Sequence, residues 1–256
     1  MIQITKIEHH EIPNDIKGKL KCYDDFEYYQ VSKNSIVLGY FSAYDNDFHQ
    51  NNKYIKPINE TFDNLNKIEI FKAISVYFNK PLQVMIESNK REIISVLNKV
   101  GFILKRQCFE REFKIADMIP LEDVTSTIIQ TIKKGSKQYD EASLIAFDYY
   151  AKTHKDVSPL TATLEQFKQI LPDHVVGQII DDKIINLCFI EKDELCYFAS
   201  IDEASFKDFS ICVIKYMFSK NETITFEVDS TDPLGLTFIS CFKNDSIDSF
   251  DTYIFK

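Results

Sequence analysis

Glycine and proline are scarce in this chain, six and seven among 256 residues. That scarcity excludes long flexible linkers and low-complexity segments, which draw heavily on both. No stretch approaches the roughly 18 consecutive apolar residues a membrane span requires, so no membrane partner is expected. The opening MIQITKIEHHEIP lacks the basic end and apolar centre of a secretory signal, and a cytoplasmic location is the expectation. Six cysteines (Cys22, Cys108, Cys188, Cys196, Cys212 and Cys241) show no C-x-x-C spacing and mostly sit in apolar runs. They read as buried reduced thiols rather than as disulfides or metal ligands. His9 and His10 are adjacent, would point oppositely on a strand, and have no third ligand nearby. No metal is expected.

A basic excess is missing too. The net charge is −9 and the isoelectric point about 5.1, which argues against nucleic acid as a partner. The acid is concentrated late in the chain. Residues 1–114 carry 17 Lys and Arg against 15 Asp and Glu, a net of +2, whereas residues 115–256 carry 13 against 24, a net of −11. An acidic half repels phosphates and attracts amines. A well-solvated surface is the plainer alternative.

What is present is ordinary globular material, 45% hydrophobic and 27% charged, enough for one large domain or two of average size. A repeat decides between them. KAISVYF, NKP and LQVMIES in the first half match CVIKYMF, SKNET and ITFEVDS in the second. Phe78 falls opposite Phe218, Ser88 opposite Ser230 and Phe102 opposite Phe242, with EFK ending at Lys114 opposite IFK ending at Lys256. The offset grows by two residues at the longer second loop, as a duplication with an insertion would require.

Local patterns give the elements. Phe209, Cys212, Val213, Tyr216 and Met217 follow the spacing of one helix face, with Ser205 and Asp208 as a capping pair before it. Phe71, Ile74 and Phe78 mark the equivalent face in the first copy. Each helix leads into a strand with alternate apolar residues, Leu82, Val84 and Ile86, then Ile224, Phe226 and Val228. Hairpins turn around Ser32–Ser35 and around Asp181–Lys183. EASLIAFDYYAKTH and TLEQFKQIL read as helices, the second opened by Thr163 with Gln166 three residues on. The expected division is 1–114 and 115–256, two α+β domains in tandem.

This order (two helices, a hairpin, a strand feeding a helix, then strand, helix and final strand) resembles the GNAT superfamily of N-acetyltransferases. The resemblance is fullest over 115–256, and SVLNKVGF and LTFISCF are similar to the family's late-helix motif. It implies tandem GNAT-like domains, each a mixed, mostly antiparallel twisted sheet flanked by helices, with the N-terminal copy degenerate. It further implies transfer of an acyl group from acetyl-CoA to a small-molecule or peptide amine, with the site in the C-terminal copy. A catalytically inactive GNAT-fold binding or scaffold protein is the alternative, and a homodimer is left open.

Carried over residue by residue, the resemblance places the coenzyme along Ala199, Ser200, Ile201, Ser205, Phe206, Lys207, Ser230 and Phe238. Candidate general bases are Glu203 and Glu227, with Glu191 and Glu194 also near strand ends. The match departs from the family in two places. The cradle at 200–209 and its first-copy counterpart at 58–71 contain no glycine, and Asp202 and Glu203 bring like charge toward a phosphate. The late-helix tyrosine is replaced by Leu97 in one copy and by Phe238 in the other, or by Thr237 if that helix slips by one, and neither Leu nor Phe can donate a proton. Weak coenzyme binding is the consequence expected.

Overall fold

The computed structural model describes residues 1–17, 26–57, 67–120, 127–243, 246 and 248–256. Cys22 and most of the first-copy loop at 58–71 lie outside them. The first part of the chain runs β1 (Ile2–Ile7), α1 (Asn14–Lys17), β2 (Glu27–Lys33), β3 (Ile36–Tyr44), β4 (Lys53–Pro57), α2 (Lys67–Phe78), β5 (Leu82–Glu87), α3 (Arg91–Val100) and β6 (Ile103–Lys114). It continues with β7 (Gln130–Lys133), α4 (Lys137–His154), α5 (Leu164–Ile170), β8 (His174–Ile180), β9 (Lys183–Glu191), β10 (Glu194–Ser200), α6 (Phe206–Phe218), β11 (Thr223–Asp229), α7 (Pro233–Ile239) and β12 (Phe250–Phe255).

Two compact units form. Unit 1 comprises Met1–Arg106, Asp156–Thr161 and Phe250–Lys256, and unit 2 comprises Gln107–Lys155 and Ala162–Ser249. Strands in unit 1 are ordered β1-β2-β3-β4-β5-β12 and those in unit 2 β7-β8-β9-β10-β11-β6. The two orders are the same pattern, position for position. Each sheet is antiparallel except at one step, β4 with β5 and β10 with β11. Ser88 and Ser230 each follow the strand after that parallel step, as the repeat requires.

The units differ from a division at 114/115 in their final strands. β12, from the end of the chain, pairs antiparallel with β5 from Leu82↔Phe255 to Glu87↔Phe250. β6, from the first half, pairs antiparallel with β11 from Thr223↔Lys114 to Asp229↔Cys108. Each half therefore supplies the closing strand of the other half's sheet. EFK and IFK carry the same alternation, so the pattern that identifies a closing strand does not say which sheet it closes.

Local chemistry accounts for the turns and ends. The hairpins turn where Asn34 and Ser35, and then Asp181 and Asp182, take positive φ of 50–66°, a geometry that asparagine and aspartate tolerate best. Gly101 ends α3 at φ 101°, and the Phe102 amide reaches back to the Leu97 carbonyl. Thr163 and Gln166 make the expected reciprocal cap on α5. At α6 the expected Ser205–Asp208 cap is not used. Asp202 instead accepts from the Ala204 amide and caps the short turn that leads into the helix.

Each unit has its own core. In unit 1, Tyr29, Val31, Phe41, Ile55, Leu82 and Val84 meet Ile70, Phe71, Ile74, Leu97 and Phe255. In unit 2, Phe113 stacks on Phe242 at 4.2 Å, and Phe198, Phe206 and Phe238 interlock with centroids 5.0–6.3 Å apart. A buried side chain of this kind contributes about 1.5–3 kcal/mol relative to exposure. α6 is buried on a wider face than expected, through Phe206, Phe209, Ser210, Val213, Ile214 and Met217, leaving Cys212 and Tyr216 half-buried. No helix among the described residues is long and apolar enough to cross a membrane.

The closing strands give a direct test. Deleting residues 250–256 removes the partner of β5, whose Leu82 and Val84 are core residues. Hydrogen exchange should then show lost amide protection in β5 with protection of β11 retained. Loss confined to unit 2 would contradict the exchange of strands.

Candidate active site

β10 and β11 run parallel and pair only at Glu194↔Thr225 and Leu195↔Phe226 before parting. A register shift between Leu195 and Tyr197 marks an irregularity at Cys196, and such bulges re-aim a strand. On one side of the gap α7 closes in. Its Gly235 has no room for a side chain, since a Cβ there would lie 2.9 Å from Val228 Cγ1 and 3.2 Å from Phe198 Cζ. Asp232 caps α7 by accepting from the Leu234 and Gly235 amides at 3.0 and 3.1 Å. Tyr149 on α4 donates to the same carboxylate at 2.5 Å. Burial pushes the Asp232 carboxyl up despite these bonds, and burial followed by the Asp232 charge pushes the Tyr149 phenol up.

The other side of the gap carries the charge. Register places Glu194, Thr225 and Glu112 in one row, Glu227 opposite Glu110 in the next, and Asp229 opposite Cys108 beyond. Alternation along the strands sets all of these on one face, away from Phe113 and Phe226. Burial, then Glu191, Asp193 and Glu110, raises the Glu194 carboxyl. Burial, then Glu194, pushes the Cys196 thiol up to about 12, so it is no nucleophile at neutral pH. Tyr197 is likewise pushed up to about 12, chiefly by burial.

α4 lies over this face and packs on β10. Tyr150 and His154, one turn apart, stack with centroids 3.8 Å apart, and Phe167 and Tyr197 complete the aromatic wall. His154 is buried, its Nδ1 2.9 Å from the Tyr150 carbonyl oxygen and its Nε2 3.6 Å from Asp229 Oδ2. Neither His154 nor Asp229 is legible as a pair in the sequence, where 75 positions separate them. The one local signal is the i, i+4 placement of Tyr150 and His154 on an amphipathic helix.

The residues expected to hold a coenzyme fall into two groups. Ala199, Phe206 and Phe238 are wholly buried among apolar neighbours and present nothing to a ligand. Phe206 and Phe238 are packed in the aromatic core of unit 2. The rest shape the loop before α6. The Ile201 amide donates to the Ile185 carbonyl, and Ser200 Oγ accepts from the Asp202 amide. Ser205 Oγ accepts from Asn186 and donates to the Asp202 carbonyl. Glu203 accepts from Lys152 at 3.1 Å, Lys207 is exposed, and Ser230 exchanges two bonds with Gln107 that tie β11 to β6. Glu227 stands on the acidic face with its carboxylate 3.9 Å from Cys108 Sγ.

Unit 1 has the same parting of strands, β4 from β5 after Lys53↔Leu82 and Tyr54↔Gln83. A segment from residues 156–161 packs against residues 48–52, just before β4. Asn52 Nδ2 donates to Gln83 Oε1 at 2.9 Å and to the Val157 carbonyl at 3.0 Å, while the Thr161 amide bonds the Phe48 carbonyl. Val157 and Ser158 are buried in this contact.

A solved structure superposes on this fold. A GCN5-related N-acetyltransferase from Sphaerobacter thermophilus superposes with a TM-score of 0.54 over 94% of this chain and 84% of that one, at 9% identity. The fold is that of the GNAT acetyltransferases. Two units share one strand order, each a twisted mixed sheet with flanking helices. An acetyltransferase of the GNAT family from Colwellia psychrerythraea matches at a TM-score of 0.46 and 12% identity, covering 99% of this chain and 100% of that one. A tandem GNAT protein from the clavulanic acid biosynthesis pathway matches at 0.46 and 6% identity, covering 100% and 98%. No family model matches the chain, and no curated protein matches its sequence.

A GNAT fold implies acetyl-CoA, and the loop residues test the fit. The diphosphate position does not fit. At residues 202–205 the amides of Asp202, Ala204 and Ser205 are already bonded within the loop, and the Asp202 carboxylate occupies the place of an anion.

Two outcomes are expected. Asp202→Ala frees the Ala204 amide and removes a charge that costs roughly 1–4 kcal/mol against a phosphate about 4 Å away, so calorimetry should show CoA binding tightened by about tenfold or more. Glu203, already engaged by Lys152, should matter less. Glu194 supplies a second test. Its raised folded pKa means that the fold holds this proton more tightly than the unfolded chain, so its contribution to stability is present below about 4.3 and is lost as pH rises through the folded value. Glu194→Gln should therefore raise the melting temperature near pH 7 and leave it unchanged near pH 3.5.

Proposed function

We propose that this chain is an acetyl-CoA-dependent N-acyltransferase whose acceptor is a cationic amine and whose site is the strand gap of unit 2. One observation carries the placement. Where β10 and β11 part, Glu110, Glu194, Glu227 and Asp229 share one face of the unit 2 sheet, and unit 1 has no such acidic row on β4 and β5 among the described residues. A like-charged row across adjacent strands destabilises a sheet by a few tenths of a kcal/mol per pair or more. A bound ammonium would offset that repulsion.

The protein's contribution is positioning and charge. Glu227 and Glu110 attract the acceptor, the aromatic wall of Tyr150, Phe167 and Tyr197 limits its size and excludes water, and β10 and β11 offer their parted backbone groups. Acetyl-CoA when bound supplies the activated acyl group as a thioester. Glu203 is engaged by Lys152 and Glu227 faces the gap, so of the two expected carboxylates Glu227 is the one that serves the acceptor.

Turnover of acetyl-CoA with spermidine should exceed turnover with glutamate at equal concentration, and raising salt from 50 to 500 mM should increase the spermidine KM severalfold. Thiol release followed with a chromogenic disulfide reads both. Equal rates for the two acceptors would overturn the assignment of a cationic substrate.

A further inference from the structure

We infer that β1 and α2 of unit 1 form a docking surface for a second copy of this chain, seated as an antiparallel β1–β1 pair across a two-fold axis. Among the described residues β1 pairs on one side only, with β2, and it ends the strand order of unit 1. A free strand edge offers its backbone donors and acceptors to another extended chain, and proteins guard such edges with proline, bulges, charge or short length. β1 carries little of this protection. Its six residues, IQITKI, hold an unbroken register from Ile2↔Lys33 to Ile7↔Tyr28, and Lys6 is their one charge. The edge of unit 2 is better guarded, since β7 spans four residues and ends on Lys133, before Lys134 and Gly135.

A groove lies beside the free edge of β1. Ile2 and Ile4 line one side of it, and Glu69, Lys72, Val76 and Tyr77 of α2 line the other. Those four follow i, i+3, i+7 and i+8 spacing, a second stripe of α2 apart from the buried Ile70, Phe71 and Ile74. Val76 is 79% exposed and Tyr77 48%, so the stripe turns apolar surface to solvent at the sheet edge.

The occupant that fits is an extended strand with apolar side chains at alternate positions, and β1 is itself such a strand. Residues directly opposite in an antiparallel pair share a face, so a two-fold between two β1 strands keeps both α2 helices on one side of the joined sheet. Centring the pair on Ile4 uses the whole strand. Ile4 then meets its own counterpart, Ile2 meets Lys6, and Gln3 meets Thr5. The isoleucines gather beneath the two helices, while the exposed Gln3 and Thr5 pair on the outer face.

Charge selects the same occupant. Residues 1–114 carry a net of +2 in a chain of −9, so two copies meet here where their repulsion is least. Lys6 of the second copy stands opposite Ile2, whose neighbour on β2 is Lys33, and Lys33 Nζ holds Glu69 Oε2 at 3.2 Å. The Glu69 side chain is 63% exposed and Lys6, bound to its own Glu27 at 2.6 Å, is 57% exposed. The docked arrangement brings that lysine and that carboxylate together, and the axis makes the contact twice. An isologous pair of this kind closes on itself at two chains.

Sedimentation equilibrium of the full chain at micromolar concentration should return about twice the 29.9 kDa chain mass. Val76→Glu puts an unpaired charge into each half of the seam and should raise the dimer dissociation constant by about tenfold or more. Its circular dichroism should be unchanged, because Val76 is exposed in the single copy, and this keeps the test open should a change at Ile4 disturb packing. Ile4→Cys sets two thiols on the axis, so mild oxidation should yield a covalent dimer that wild type, with the same native cysteines, does not form. A monomeric wild-type chain or a larger assembly overturns the inference. So does a dimer that persists in Val76→Glu and fails to cross-link at position 4.

Discussion

Parallel strands that stop pairing after two residues set the terms for everything around them. Backbone N–H and C=O groups beyond Leu195 and Phe226 lose their partners in one another, and buried backbone groups rarely go unsatisfied. β10 turns to β9 and β11 to β6, each strand held on its outer side. That division needs something to keep the inner sides apart. The irregularity at Cys196 bends β10, and α7 wedges against Phe198 of one strand and Val228 of the other through Gly235. A side chain at 235 would push that wedge outward, at a cost of about 1–3 kcal/mol for overpacking against roughly 1 kcal/mol returned by helix propensity. The glycine serves close approach rather than an unusual backbone angle.

The wedge is anchored by a polar device on an otherwise apolar side. Asp232 accepts from two amides of α7 and from Tyr149, so one carboxylate ties a seven-residue helix to the longest helix of unit 2. Burial alone disfavours this charge, and the three donors are what make it tolerable. Across the gap the arrangement is reversed. Glu110, Glu112, Glu194 and Glu227 share one face, and Glu194 is pushed up first by burial and then by Glu191, Asp193 and Glu110. One carboxylate is fully employed in structure, while like charges gather on the opposite side of the sheet.

The duplication was legible because helices and strands keep their spacing: Phe78 and Phe218, Ser88 and Ser230 occupy matching places in the two units. The exchange of closing strands was not legible, since β6 and β12 satisfy the same alternation and either sheet would accept either strand. The acidic half was visible as composition, but its concentration on one face depended on register across β10, β11 and β6. His154 stayed hidden for the same reason. Its partner comes from β11, and only the packing of α4 brings the two within 3.6 Å. Motif alignment does not see burial: Phe206 and Phe238, matched to ligand contacts, are core aromatics.

The loop before α6 spends its own backbone donors on itself. A helix N-terminus offers an anion roughly 0.3–2 kcal/mol, and close backbone approach adds hydrogen bonds only where no side chain intervenes. Asp202 takes that offer for itself, bonding the Ala204 amide and capping the turn. A capping aspartate contributes about 0.5–2 kcal/mol to the fold, similar to what an external phosphate would gain at the same place. The two uses of the amides exclude each other, so stability of the loop and affinity for a diphosphate compete for one set of donors.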